Sequence, residues 1–327
     1  MNTAELEAHS DRIEQVLAAH RVPVQVHGGT VTPRWVRYHF TAAPGARLAS
    51  IRQLTEELAV ALEAPAVRVT RAEGGLALEV PRADAQPVRL KTLLRGLSRV
   101  PAATACLGLA EDGRPLLLRL NSPEVGHVLI AGRTGSGKTE LMRTLLVSLA
   151  LTQRQADLQF LLIDPKTRGL APLAHLPHCL APVIMEPPAA LAWLTRLTAE
   201  MERRDRANLS RPRIVIAIDE LAELLHGAGP PAEAALTRLV QRGREAGLHV
   251  IAGVQKPSAA VVGPLLKANF PVRLVGHVAS AEDARVASGV AGSGAEHLLG
   301  RGDFLAIAAG QRLRFQAAWT TAEDWAA

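Results

Sequence analysis

Cysteine is nearly absent: Cys106 and Cys179 are the two thiols in 327 residues. They form no zinc-ligand spacing and no disulfide framework, which excludes a zinc module and a stapled secreted scaffold and makes a reducing cytoplasm the simplest setting. Long apolar runs are missing too. The longest stretch without a charged residue, 169–185, holds three prolines and two histidines. It reads as a loop-rich buried region rather than a membrane helix. The first ten residues are polar, so no secretory leader is expected. There is no internal repeat and no low-complexity tail. An acidic excess is absent as well, since the net charge is +6 and the pI about 10.0. Most of the positive charge is arginine, which suits bidentate contacts to phosphate. So modest an excess permits a polyanionic partner without requiring one.

What remains is an ordinary globular composition, 48% hydrophobic and 21% charged, long enough for about two domains. The strongest local signal is Gly132-Arg133-Thr134-Gly135-Ser136-Gly137-Lys138-Thr139, a G-x-x-x-x-G-K-T phosphate-binding loop. The apolar run Val128–Ala131 precedes it, and residues 141–149 follow with helical spacing. Strand, loop and helix are the context that gives the pattern its meaning. Glycines let the backbone curl so that several N–H groups face a triphosphate, and the helix N-terminus adds positive potential. Lys138 then reaches the β- and γ-phosphates, and the Thr139 hydroxyl holds Mg²⁺.

Three further positions carry chemistry. Ile214–Ile218 reads as a buried strand ending in Asp219 and Glu220. After a phosphate loop, the first acid holds the hydrated metal and the second polarises the attacking water. Taken alone, the pair is also what an acidic first helical turn looks like, because an apolar run follows. Gln255 ends the strand 248–254, where a polar side chain can sense the γ-phosphate or orient water. Arg244 lies near the end of a helix that Gly247 is expected to stop. There it is either a solvated, dipole-favourable charge or a finger reaching the ATP of a neighbouring subunit in a ring.

The chain divides by pattern. Residues 1–105 read as a small α+β unit, with a helix over 5–19, strands at 22–26 and 36–40 separated by Gly28-Gly29, and a helix over 48–62. Strands at 67–69 and 76–80 follow. His20, His27 and His39 are scattered there as surface or packing residues. Residues 106–327 alternate β and α as an α/β phosphate-loop domain with a mainly parallel sheet should. Near-continuous apolar strands are expected at 128–131, 158–163, 214–218 and 248–252. Helices fall at 140–150, 188–204 and 232–245, and later strands at 273–278, 304–307 and 313–315.

These residues resemble one family. Gly132–Thr139, Leu161-Leu162-Ile163-Asp164-Pro165-Lys166 and Asp219–Leu224 are similar in order to G-T-T-G-S-G-K-S, I-D-P-K and D-E-x-A-D-L. Arg242–His249, Gln255-Lys256-Pro257-Ser258 and Leu298–Asp303 are similar to K-x-R-A-A-G-I-H, Q-R-P-S and L-L-G-x-G-D. Those are blocks of the FtsK/SpoIIIE DNA translocases, within the HerA–FtsK group of hexameric ATPases. The first domain resembles that family's α domain more weakly, through Thr30–Trp35, Val67–Val69 and Glu79–Arg82. The resemblance implies a RecA-like fold for residues 106–327, ATP and Mg²⁺ as cofactors and double-stranded DNA as partner. It implies a homo-oligomeric ring, hexameric in the family, and admits a membrane-bound or DNA-loading partner protein. It makes Arg244 the trans-acting arginine. Lys256 and Ser258 fall in a first pore loop and Arg285 in a second, both touching the DNA backbone, with Ala281 where the family has a lysine. It also implies a cytoplasmic motor, expected to lack the family's membrane-spanning and winged-helix regions. A protein-secretion motor of type VII systems shares the same core and stands as the alternative.

Overall fold

The computed structural model describes residues 3–72, 75–255 and 268–325. Two compact units divide it at Pro87/Val88. This is earlier than the expected 105/106, because Val88, Leu90 of α4 (Leu90–Arg95) and Ala103 are buried in the core of the larger unit and β5 spans Thr104–Ala110. A cut at 105 would pass through a strand.

The first unit is a four-stranded antiparallel sheet in the order β1-β2-β4-β3, with β1 Val24–Val31, β2 Trp35–Ala42, β3 Arg68–Ala72 and β4 Gly75–Pro81. Alternation in β2 buries Val36, Tyr38 and Phe40, which pack with Ile13 and Leu17 of α1 (Thr3–Ala19). Gly28-Gly29 does not separate two strands. Both glycines pair with β2 inside β1, just after a bulge between Val26 and Gly28, and the turn comes later, where the Thr32 N–H donates to Trp35 O. The helix expected over 48–62 is two, α2 Leu48–Gln53 and α3 Thr55–Ala61, because Leu54 leaves helical geometry at φ −91°, ψ 14°.

The second unit is a nine-stranded sheet ordered β6-β5-β13-β12-β11-β7-β10-β9-β8. Its members beyond β5 are β6 Pro115–Arg119, β7 Val128–Ala131, β8 Leu158–Ile163, β9 Arg213–Ile218 and β10 Leu248–Val254. The last three are β11 Val272–Val275, β12 Asp303–Ala308 and β13 Gln311–Ala317. The half from β11 to β8 is parallel, as expected, and the half from β12 to β6 is antiparallel. Successive side chains of the parallel strands point to opposite faces, and both faces are covered. On one, Leu161, Ile216 and Val250 pack with Leu194 and Met201 of α6 (Pro187–Ala207) and with Leu224 and Leu236 of α7 (Leu221–Arg242). On the other, Phe160, Val215 and Ile251 meet Leu141, Leu145 and Leu149 of α5 (Lys138–Thr152). All loops that follow the parallel strands therefore gather at one edge, where such sheets bind ligands.

Candidate active site

The phosphate loop leaves β7 at Ala131 and enters α5 at Lys138. Gly137 precedes the helix in the left-handed region, φ 100°. A β-carbon there would lie 3.0 Å from the Gly302 amide nitrogen, so only glycine fits without strain. Neighbouring segments hold the curl. The Arg133 N–H donates to His277 O (2.9 Å) and the Gly302 N–H to Ser136 O (3.0 Å). The Lys138 ammonium donates to Gly132 O (2.7 Å) and Arg133 O (3.2 Å), which curls the side chain back over the loop. Burial lowers its pKa, while the charges of Glu220 and Asp219 oppose that shift.

The two acids follow β9, a strand buried along almost its whole length between β8 and β10. The Thr139 hydroxyl donates to Asp219 Oδ1 across 2.9 Å. Burial raises the Asp219 pKa, the Thr139 bond works against it, and the charges of Asp164 and Glu220 add to the rise. Glu220 is 4% exposed. Its Oε2 pairs with the Lys166 ammonium at 3.1 Å, and its Oε1 is buried without a partner among the described residues. Gln255 Oε1 accepts from the Thr134 hydroxyl at 3.3 Å. Arg133, Thr134, Lys166, Glu220, Glu223 and Gln255 line one cleft of about 340 Å³. Gly132–Thr139, Asp219, Glu220 and Gln255 thus meet at one edge of the sheet. No group of three or more His, Cys, Asp or Glu among the described residues could hold a metal. A hard cation there would take Thr139 Oγ1 and Asp219 with substrate phosphate oxygens, which is how Mg²⁺ is usually held in such sites.

A half-buried aspartate and a buried glutamate beside a lysine-closed phosphate loop, at the carboxyl ends of a parallel sheet, make a phosphate-loop ATPase core. The FtsK alpha domain model matches residues 1–82 and the FtsK/SpoIIIE family model residues 92–209. The chain belongs to the FtsK/SpoIIIE family. It is 31% identical to the DNA translocase FtsK of Sporosarcina ureae over 98% of its own length and 45% of that protein. To the DNA translocase SftA of Bacillus subtilis (strain 168) it is 34% identical over 96% of its length and 36% of the relative. It therefore spans less than half the length of these relatives. Among solved structures, the pCW3 conjugation coupling protein TcpA has the same fold, with a TM-score of 0.66 and 20% identity over 99% of this chain and 97% of that one. The cytoplasmic domain of the Type VII secretion ATPase EccC from Thermomonospora curvata matches at a TM-score of 0.62 and 26% identity, over 72% of this chain and 32% of that one.

In this FtsK/SpoIIIE fold, Arg244 lies away from the other site residues. The helix ends at Arg242, not at Gly247. Gly243 caps it, and Gly247 (φ 74°) closes the turn that follows, with the Leu248 N–H donating to Gly243 O (2.8 Å). Arg244 sits in that turn, before β10 begins, whereas Gln255 directly follows the strand's end. Ten residues separate them, and the seven of β10 alone span roughly 20 Å. The Arg244 guanidinium donates to Pro123 O and pairs with Glu245 at 3.3 Å. It lines a second cleft of about 710 Å³. α7 is two helical segments: Gly229 (φ 70°, ψ −167°), ahead of Pro230-Pro231, breaks the helical geometry, and the helix expected from 232 is the second segment, preceded by a first that begins at Leu221.

Arg285 lies on α8 (Ala281–Ser288), paired with Glu282 at 2.6 Å. Ala281 is the first residue of that helix, which Ser280 caps by accepting from the Asp283 N–H. Lys256 and Ser258 fall outside the described residues. Sequence reasoning assigned no function to Lys166, Asp164, Arg143 or the Asp303–Arg314 pair. The signal for Lys166 was there, in the Asp164-Pro165-Lys166 block, but its partner is 54 residues further along.

Proposed function

We propose that this chain is the motor part of an ATP-driven double-stranded DNA translocase. It works as a ring, hexameric by family expectation, that hydrolyses ATP at subunit interfaces and moves duplex DNA through a central pore. Plasmid, phage or other mobile-element DNA fits such a cytoplasmic motor. So does a membrane-bound or DNA-loading partner. The observation that carries the reading is Glu220, a buried carboxylate with one unpartnered oxygen in the cleft that the phosphate loop borders.

The residues divide the work. Backbone N–H groups of Gly132–Thr139 and the Lys138 ammonium hold the phosphates. Thr139 and Asp219 would hold Mg²⁺, which would neutralise phosphate charge. Glu220 takes the proton of the attacking water. Gln255, tied to Thr134 of the loop, reports the γ-phosphate to the segment that carries Lys256 and Ser258. Arg244 lies a strand's length from its own loop, so it completes the site of a neighbouring subunit. Contacts from Lys256, Ser258 and Arg285 to DNA phosphates give grip without sequence reading.

The test is ATP turnover with and without linear duplex DNA. Several-fold stimulation that fades steeply with salt is expected. No stimulation by any duplex at low salt would overturn the reading. The likeness to the secretion ATPase EccC favours one other occupant of the pore, a polypeptide. Stimulation by secreted-protein segments and not by duplex would move the assignment there.

A further inference from the structure

Asp164 follows β8 and is fully buried. Its carboxylate accepts from the backbone N–H groups of Lys166 (3.2 Å) and Leu170 (2.9 Å), which closes residues 164–170 into a fixed loop. Arg143 of α5 fastens that loop from outside. Its Nε donates to Gly169 O (2.6 Å) and its Nη2 to Arg168 O (2.9 Å), while Nη1 is held by Glu140 (2.6 Å). α5 is the helix that Lys138 opens. The loop is therefore anchored to the phosphate loop's own helix, and it delivers the Lys166 ammonium to Glu220 Oε2 at 3.1 Å.

A buried carboxylate can present either oxygen and several orientations. A cation on one oxygen removes that freedom and offsets the burial of the charge. Here Oε2 is taken and Oε1 is the unpartnered atom. We propose that Lys166 is a positioning residue for Glu220: by holding Oε2 it aims Oε1 at the water that attacks the terminal phosphate. The Asp164–Arg143 frame keeps that aim in register with Lys138. Oε1 accepts the water's proton as the water oxygen bonds to the γ-phosphorus and ADP departs, and Lys166 keeps its own protons. This rests on Glu220 being the general base.

The experiment measures ATP turnover of the full chain without DNA. Lys166→Met should lower kcat at least about tenfold, because a misaimed base costs rate rather than binding. KM for ATP should stay within about twofold, and Lys166→Arg should recover part of the rate. Arg143→Gln, which loosens the loop without touching Glu220, should show the same kcat-selective loss in milder form. In a Glu220→Gln background, Lys166→Met should add no further loss. An unchanged kcat, a raised turnover, a loss confined to KM, or full additivity with Glu220→Gln would each overturn the assignment. Should Glu220→Gln alone keep wild-type turnover, the base assignment fails instead, and the two failures remain distinguishable.

Discussion

The Thr139 hydroxyl donates to Asp219 Oδ1 across 2.9 Å, joining the first turn of α5 to the end of β9. Eighty residues of chain separate the partners, and the bond brings the two halves of the nucleotide site into one geometry. It also leaves a half-buried carboxylate beside Asp164 and Glu220, whose charges disfavour its ionised form.

That arrangement costs stability. Burial raises the Asp219 pKa, so the folded state disfavours the ionised form that neutral pH imposes, and the penalty grows as pH rises above the ordinary 3.8. Asp219→Asn keeps an acceptor for Thr139 and removes the charge. In metal-free, nucleotide-free buffer at neutral pH the variant should melt about 2–4 °C higher than wild type. It should also lose Mg²⁺-dependent ATP turnover. A lower melting temperature would contradict the account.

A second buried pair sets a pH dependence. His127 Nδ1 accepts from the Val250 N–H (3.0 Å) and His249 Nδ1 donates to Gly126 O (2.8 Å). Burial pushes their pKa values down to about 3 and about 4. Both are neutral when folded, whereas unfolded imidazoles take up protons near 6.5. Their contribution is therefore complete above about pH 6.5 and lost as pH falls towards about 4. An asparagine in place of His127 can still accept from Val250 through its side-chain oxygen. Melting temperature followed from about pH 7.5 to about 4.5 should fall less steeply in His127→Asn than in wild type. Parallel curves would show that other groups govern the acid limb.

The parts legible in the sequence were those whose chemistry is local. The phosphate loop needs only its own glycines and flanking strand and helix, and Asp219-Glu220 needs only the strand before it. The antiparallel strands β5 and β6 were not legible. Thr104–Ala110 is built of small and apolar residues buried on both faces over its first five positions, so no alternation marks it. The true end of α7 was hidden for another reason. Gly243 and Gly247 both stop helices, and which one does so depends on the Leu248 bond back to Gly243. Lys166 was quoted as part of a block, but its partner Glu220 is set by the pairing of β8 with β9, which no window of sequence contains.

Behind the phosphate loop lies a buried ion pair. Arg314 Nε and Nη2 donate to Asp303 Oδ1 and Oδ2, each at 2.8 Å, and Asp303 Oδ2 also accepts from the Leu299 N–H (3.0 Å). This fixes the turn whose Gly302 N–H holds Ser136 O. Arg314→Met strands a buried carboxylate and should cost about 3–5 kcal/mol. The surviving folded enzyme should show a higher KM for ATP, because the loop's curl has lost its brace. Adding Asp303→Asn should return part of the stability. An Arg314→Met variant as stable as wild type would remove the pair from this role. Denaturant unfolding and initial-rate kinetics give both readouts.

Arg244 yields the sharpest test of the ring. It precedes β10 while Gln255 follows it, so one strand places Arg244 and Gln255 of the same subunit at its opposite ends. An arginine there serves a neighbour's nucleotide or none. Arg244→Ala subunits keep an intact phosphate loop and Glu220, and Glu220→Gln subunits keep an intact arginine. Each protein alone should turn over ATP at least about a hundredfold more slowly than wild type. Mixed and reassembled, a Glu220 of one subunit meets an Arg244 of the other at some interfaces. With equal proportions and random placement around a closed ring, about one interface in four is complete. Turnover should rise well above that of either parent, towards about a quarter of the wild-type rate. A mixture that stays at the level of its parents across all ratios, while still assembling, would mean that Arg244 does not act across the interface.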